Sequence, residues 1–285
     1  MSSVLDGIRV AAFTHFAAGP RVVQFLGALG ADVIKIEPPK GEATRYVIRD
    51  AEGRFGGHSP SFVTLNRNQR GIALDLKSEG GREVARQLAD SADVLVENFK
   101  PGALERLGFG YETLRATNPG LIYCPISGYN PTGPKARELG QDMVLQGVSG
   151  MASLSGREGS GPAPVGVFAI DAYTAMINVI GILSALRHRD KTGEGQLVHA
   201  DMMSSAMHMM MEESSYVLNV DPTIRRSRDY AGHPQAKTPY GAFTAKDGEF
   251  VLSLATPQQL GILVDALGLT DEIGVYITEL GQRRN

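Results

Sequence analysis

The sequence has a single cysteine, Cys124, inside the apolar run LIYCPI. One thiol rules out an intrachain disulfide framework and reads as a buried structural group in a reducing, cytoplasmic setting. Net charge is small as well, at −3. No overall field therefore favours nucleic acid or an anionic membrane, and an anionic ligand has to be met by local Arg and Lys. The start, MSSVLDGIRV, lacks a basic region followed by a long apolar run, so no secretory signal is predicted. No GxGxxG follows the first predicted strand; the segment reads THFAAGP, with one glycine, and a nicotinamide site is poorly supported. No GxxxxGK motif followed by Ser or Thr is present, which argues against a nucleoside-triphosphate loop. The six histidines are His15, His58, His188, His199, His208 and His233. None has metal-ligand spacing to another His or to Cys, so no metal site is predicted. There is no internal repeat and no low-complexity tract.

What the chain does have is length, apolar content and turns. With 285 residues, 42% of them hydrophobic, it can bury a sizeable core in one or two domains. Its 34 Gly and 15 Pro suit an α/β protein with many tight loops. Apolar runs at 8–13, 31–37, 71–76, 93–99 and 121–129 read as strands. Helical patterns at 19–29, 78–92, 101–108 and 111–119 fall between them. This alternation predicts an α/β fold with an open, Rossmann-like, mostly parallel sheet and helices on both faces. A long apolar helix follows at 164–189, then a short strand at 195–202 and a Met-rich helix at 203–218. The most apolar stretch, 168–186, approaches membrane length, but Asp171, Asn178 and Gly181 inside it favour a buried helix of a soluble protein. Near 220 the texture changes. A polar segment, DPTIRRSRDYAGHPQ, precedes a predicted β-hairpin at 240–255 and a short helix. The expected division is a large domain at 1–220 and a linker with an incomplete small α+β domain at 221–285.

Several residues are candidates for chemistry. His15 falls just past the end of the first strand, where open α/β sheets place ligands; a hydrogen-bonded loop histidine fits equally well. Basic residues in NRNQRG, LDLK and ENFKPGALERLG could line a groove for a phosphorylated ligand, or could simply be solvated surface. Met202, Met203, Met207, Met209, Met210 and Met211 suggest an adaptable core or interface. Asp171 stands at the front of the apolar helix. It could be a helix N-cap, or an ionised, partly desolvated carboxylate suited to covalent nucleophilic attack.

Residue by residue, the chain resembles the class III CoA-transferases, the CaiB/BaiF family. The resemblance runs from LDGIRVAAFTHFAAGP through ADVIKIEPPKGEATR, LNRNQRGIALDLKSEGGR, the stretch from VLVENFKPGALERLGFGYETLRATNPG to LIYCPISGYNPTGP, GQDMVLQGVSGM and PVGVFAIDAYTAMINVIGILSALRHRDKTGEGQLVHADMMSSAM, into YGAFTAKDGEFVLSLA. It covers nearly the whole chain in family order. Members of the family are longer, and their chain returns from the small domain to complete the large one; a C-terminal truncation is therefore expected here.

The resemblance implies an interlocked homodimer whose large domain binds CoA. It implies a catalytic Asp at the position of Asp171, which attacks an acyl-CoA thioester and passes through a mixed anhydride to an aspartyl-CoA thioester before an acceptor carboxylate takes over. CoA and acyl-CoA are then substrates, with no tightly bound cofactor, and the other partner is a small carboxylic acid. Carried over singly, the CoA contacts are His15 and Ala18 after the first strand, Leu74 and Lys77 in LDLK, Asn98, Phe99 and Arg106 in the ENF to GALERLG segment, and Met202. Two departures bear on substrate. Ala17 stands where formyl-CoA transferases carry Gln, and their glycine-rich closing loop corresponds here to AGHPQAKTPYG; the resemblance thus does not extend to formate or oxalate. Within the family the alternative is α-methylacyl-CoA racemase, which uses a His before Asp in a GHD motif; here the motif is GQD, with Gln141 before Asp142. A non-catalytic fragment that binds CoA or only dimerises is the alternative of another class.

Overall fold

Apolar runs too short for helices become strands, and amphipathic runs between them become the crossovers that parallel pairing requires. The computed structural model describes residues 3–47, 53, 56–156, 159–223, 231–233 and 239–270. In chain order, β1 (Arg9–Phe13), α1 (Ala18–Ala28), β2 (Asp32–Glu37), a one-turn helix at Ala43–Arg45, α2 (Pro60–Leu65), β3 (Arg70–Ala73) and α3 (Glu79–Asp90) form the first half. Then come β4 (Val94–Glu97), a π-helical segment at Glu105–Phe109, α4 (Tyr111–Arg115), β5 (Ile122–Pro125), α5 (Asp142–Val148), α6 (Met151–Leu154), α7 (Ala169–Thr192), α8 (Met202–Met209) and α9 (Met211–Asn219). The remainder is β6 (Ala231–Gly232), β7 (Tyr240–Thr244), β8 (Glu249–Ser253) and α10 (Pro257–Ala266).

The five-stranded sheet runs β3-β2-β1-β4-β5, and every pair in it is parallel. Alternation along each strand assigns its two faces. Val10, Ala12, Val94, Val96, Ile122 and Cys124 point to one side, against Val22, Val23 and Leu26 of α1 and Ala175, Ile182 and Leu186 of α7. Ala11, Phe13, Leu95 and Tyr123 point to the other, against Ala85 and Ala89 of α3 and Leu104, Phe109 and Leu114. Each fully buried Val or Leu in these layers contributes roughly 1.5–3 kcal/mol of transfer free energy. By length and composition alone α7 could cross a membrane; here its apolar stripe covers the sheet.

Strand order reverses between β1 and β4. Such a switch point leaves a crevice outside the carboxyl ends of the two strands, the usual ligand position in open α/β sheets. Two close approaches shape this edge. A Cβ on Gly19 would stand 2.8 Å from the Asn98 amide, and Gly128 and Gly140 pass so near each other that a Cβ on either would lie 2.3 Å from the other's backbone.

Two compact units emerge, Met1–Ser149 with Gly166–Met211, and Gly150–Val165 with Glu212–Asn285. The second contains the antiparallel sheet β6-β7-β8, in which β7 and β8 are the predicted hairpin, and α10. α10 begins with a capping box between Thr256 and Gln259. Of the predicted polar segment 221–235, residues 224–230 and 234–235 lie outside the described residues, as does the chain end beyond 270.

Three elements differ from expectation. The Met-rich helix is two helices, interrupted at Met210. The 101–108 helix is a π-helical segment in which Gly108 adopts φ 89°. The predicted strand at 195–202 is a single parallel bridge, Tyr123 to Leu197. Beyond the bridge stands Asn178, buried on α7. Its amide takes both backbone groups of Ala200, accepting from the N–H at 3.1 Å and donating to the carbonyl at 3.0 Å. Its Oδ1 also accepts from the Cys124 thiol at 3.4 Å. Backbone bonds from the Tyr123 N–H to the Gln196 carbonyl and from the Val198 N–H to the Tyr123 carbonyl make the bridge, and the Asn178 side chain takes over the pairing at Ala200. Asn178→Ala leaves these buried groups unsatisfied and is expected to destabilise the chain by about 1–3 kcal/mol. The urea midpoint should fall while the m-value is unchanged.

Candidate active site

The site begins where β1 ends. Thr14 to Ala17 must turn the chain into α1, and their backbone groups have no strand beside them. Asn98, at the exit of β4, supplies the missing pairing. Its Oδ1 accepts from the His15 N–H at 2.8 Å and its Nδ2 donates to the His15 carbonyl at 2.8 Å. Phe16 adopts φ 59°, left-handed and uncommon for a bulky residue. Glu42 holds it there by accepting from the Phe16 N–H at 3.0 Å. Glu42 in turn pairs with Lys35 at 3.0 Å; the two are 4% and 2% exposed, so neither charge is served by water. Lys35 also donates to the Thr14 carbonyl at 2.8 Å. Burial holds the Lys35 ammonium below its ordinary pKa, with Glu42 pulling it back up. Breaking such a buried pair from one side costs about 3–5 kcal/mol.

The β4 exit is braced as well. Glu97 accepts from the Phe99 N–H at 2.8 Å, and burial pushes its carboxyl up to about 7 against that bond. The Phe99 ring lies 5.4 Å from the His15 ring and 6.4 Å, edge to face, from Phe13. His15 is half-buried; desolvation lowers its pKa, with Glu42 opposing and Lys35 reinforcing the shift. It is therefore a neutral imidazole at pH 7.

Asp171 faces this loop from α7. It does not cap the helix. The N-cap position belongs to Phe168, which offers no side-chain bond, and Asp171 stands in the first turn. Its own N–H donates to Asp142 Oδ2 at 2.9 Å. Asp142, the first residue of α5, is buried, and its Oδ1 accepts from Gln146 Nε2 at 2.5 Å. The Asp171 carboxylate is left to the Ala18 N–H at the start of α1. Burial pushes the Asp171 carboxyl up to about 6, Asp142 adds to the shift, and Arg21 and the Ala18 N–H pull against it. The apolar surroundings thus raise its proton affinity, contrary to the expectation that they help keep it ionised.

The arrangement unites His15, Ala18, Asn98, Phe99 and Asp171 at the switch point. Leu74 and Lys77 follow β3 and Arg106 follows β4, so all three lie at the same carboxyl edge of the sheet, without direct contact with Asp171. Leu74 turns its side chain into the core, whereas Lys77 and Arg106 are exposed. Met202 is buried at the start of α8, its N–H bonded to the Ser127 carbonyl. Arg70, in NRNQRG, is at the opposite edge and donates to the Asp32 carboxylate from Nε and Nη2, so it lines no groove here. Gln141 is exposed. Of AGHPQAKTPYG, residues 234–238 lie outside the described residues.

Sequence reasoning missed Asp142, Arg21, Lys35 and Glu42. For Lys35 a signal existed: a lysine within the buried-strand pattern DVIKIE needs a partner. For Asp142 there was none, because its partner is a backbone N–H in another helix.

The profile of "CoA-transferase family III" matches residues 5–281. The chain is 37% identical over 283 residues to a succinyl-CoA:mesaconate CoA-transferase of Haloarcula hispanica, covering 95% of this chain and 69% of that protein. It is 36% identical over 274 residues to a succinate–glutarate CoA-transferase of Agrobacterium fabrum, covering 93% and 66% respectively. A crystal structure of a CaiB/BaiF family protein from Brucella suis superposes with a TM-score of 0.84 at 36% identity, covering 96% of this chain and 72% of that one. The chain thus spans about two thirds of the length of these curated relatives.

Asp142→Asn keeps an oxygen to accept the Asp171 N–H but removes the neighbouring charge. Asp171 should then titrate below about 6, as followed by carboxyl carbon NMR; an unchanged midpoint would show that the Asp142 charge plays no part in it.

Proposed function

The chain belongs to CoA-transferase family III and moves CoA between an acyl-CoA and a carboxylic acid; from that premise we propose that Asp171 is the carboxylate that carries the exchange. The observation behind this reading is a half-buried carboxylate at the topological switch point, with its oxygens directed to one backbone N–H and no direct ion pair among the described residues. Asp171 attacks the thioester carbonyl, the C–S bond breaks, and a mixed anhydride and CoA thiolate form. The thiolate attacks the aspartyl carbonyl and expels the donor acid as its carboxylate, leaving aspartyl-CoA. The acceptor carboxylate repeats the two steps in reverse order and restores Asp171. No net proton is exchanged, so a neutral His15 and an exposed Gln141 are no handicap.

The Ala18 N–H, already aimed at the Asp171 carboxylate, is placed to stabilise the oxyanion that forms at the aspartyl carbonyl. We place the pantetheine and phosphates of CoA along His15, Asn98, Phe99, Lys77 and Arg106, with Leu74 and Met202 shaping the walls from within. Lys and Arg there meet phosphate as a point charge and as a fork of donors. Both curated relatives above carry dicarboxylic acids in their names, and a dicarboxylic acid is the substrate class proposed for this chain. We further propose a cytoplasmic homodimer. The support is exposed apolar residues, Met143, Val144 and Val148 on α5 and Met176 and Ile180 on α7, suited to cover by a second copy.

The test is exchange in heavy water between a panel of acyl-CoAs and free acids, read by mass. A new acyl-CoA without deuterium is expected. Deuterium next to the carbonyl with no new acyl-CoA would replace this reading with racemisation. Asp171→Ala and Asp171→Asn should reduce exchange to background while CoA still binds. Because the ionised form is the nucleophile, kcat/KM should rise as pH climbs through about 6 and level off above it.

A further inference from the structure

Arg21 lies one turn into α1, three residues after the Ala18 N–H that meets Asp171, and α1 packs directly against α7. Its Nε is buried without a hydrogen-bond partner. Several other arginines of this unit hold carboxylates: Arg45 holds Glu37, Arg70 holds Asp32, Arg86 holds Asp90 and Arg189 holds Asp93. Among the described residues Arg21 holds none. A buried guanidinium nitrogen without a partner is costly, and a native structure that retains one calls for an explanation. Arg21 is near enough to Asp171 to pull its proton affinity down, yet it makes no ion pair with it. The guanidinium is therefore not held by the reacting carboxyl.

Resting on the CoA-transferase reading, we propose that Arg21 binds the second carboxylate of a dicarboxylic acid whose first carboxylate reacts at Asp171. The reacting carboxylate is joined, during exchange, to the aspartyl carbonyl itself, too close to Asp171 to be the group that Arg21 meets across the gap. A carboxylate a short carbon chain further on is the group left to meet Arg21, and the planar guanidinium suits it in a paired, two-bond grip. The phosphates of CoA are the less fitting anion. Lys77 and Arg106 border the sheet face covered by α3 and the π-helical segment, whereas Arg21 and Asp171 belong to the face covered by α1 and α7. A monocarboxylate would leave the buried nitrogen unpaired, and a site built around a polar partner rejects an analogue lacking it far more strongly than an apolar pocket does.

The experiment compares glutarate with pentanoate, equal in chain length and differing in one carboxylate. Acceptor kcat/KM is measured for the full chain and for Arg21→Leu and Arg21→Lys. The ratio is read rather than either rate, because removing the cation also alters Asp171. The unsubstituted chain should prefer glutarate by on the order of 10²-fold. Arg21→Leu should bring the ratio below about tenfold, and Arg21→Lys should retain part of the preference. A ratio near one in the unsubstituted chain, or a ratio unmoved by Arg21→Leu, overturns the proposal. So does a rise in the KM for acyl-CoA with the ratio intact, which would assign Arg21 to CoA. Calorimetric titration of the two free acids into the same three proteins separates this proposal from the exchange reading. If no acid is exchanged at all but glutarate binds through Arg21, the site stands and the transferase reading falls. Equal binding of both acids, or glutarate binding unchanged in Arg21→Leu, sinks the site whatever the exchange assay gives.

Discussion

Two hydrogen bonds from one side chain, the Asn98 amide, fix the place where β1 and β4 part, and the geometry of the site descends from them. At a switch point the chains leaving adjacent strands turn to opposite sides, so their backbone groups lose the ladder that paired them inside the sheet. Those groups cannot be buried unpaired. Asn98 replaces the lost ladder with a donor and an acceptor on one planar group, and Gly19 leaves the space this requires. With His15 clipped, the first turn of α1 has one direction open to it, and the Ala18 N–H comes to bear on Asp171.

The same loop is held from its other side by charge. Lys35 and Glu42 are expensive groups to bury, and an apolar pair of similar volume would be no less stable. Their value is in what their spare valences do. Lys35 takes the Thr14 carbonyl and Glu42 takes the N–H of Phe16, whose left-handed backbone would not persist unsupported. Arg45 on Glu37 extends the cluster, and its guanidinium also lies 3.9 Å from the Phe62 ring centroid. Polar groups thus specify a loop that apolar packing could not, because the loop's needs are directional.

How far the sequence discloses this depends on whether a feature is periodic or positional. The parallel sheet is legible because burial on both faces turns β1, β4 and β5 into nearly continuous apolar runs. The end of β1, and so His15 and Ala18, is legible with it. The 195–202 segment misleads for the same reason: GQLVHADM carries a strand's pattern, but its pairing with β5 is confined to Tyr123, and Asn178 on a helix takes the backbone groups of Ala200. Met210 interrupts a composition that favours an unbroken helix. Asp171 stands out because a carboxylate in an apolar helix has to be explained. Asp142 does not, since its motif draws attention to Gln141, which is exposed, and its real partner is in a distant helix. Arg21 is equally silent, an ordinary residue on an amphipathic helix until its neighbours are known.

Asp142 also explains how the Asp171 carboxylate is left free for the role proposed for it. An aspartate at the front of a helix ordinarily turns its carboxylate back onto the N–H groups of the first turn. That bond would stabilise the helix and occupy the oxygens a nucleophile needs. Here the first-turn N–H of Asp171 itself is taken by Asp142, a cap delivered from another helix, and Phe168 at the N-cap position contributes no side-chain bond. The substitution separates two functions that one aspartate would otherwise combine: Asp142 satisfies the helix, and Asp171 is left with one backbone donor and desolvated surroundings. The arrangement has an electrostatic consequence. Two carboxylates so close raise the proton affinity of the outer one, which adds to the effect of burial and moves Asp171 towards neutrality. A carboxylate with a midpoint near 6 remains mostly ionised at pH 7, and one stripped of water is less restrained by solvation when it attacks a carbonyl carbon. The buried aspartate behind the helix therefore completes the cap and tunes the proposed nucleophile by the same contact.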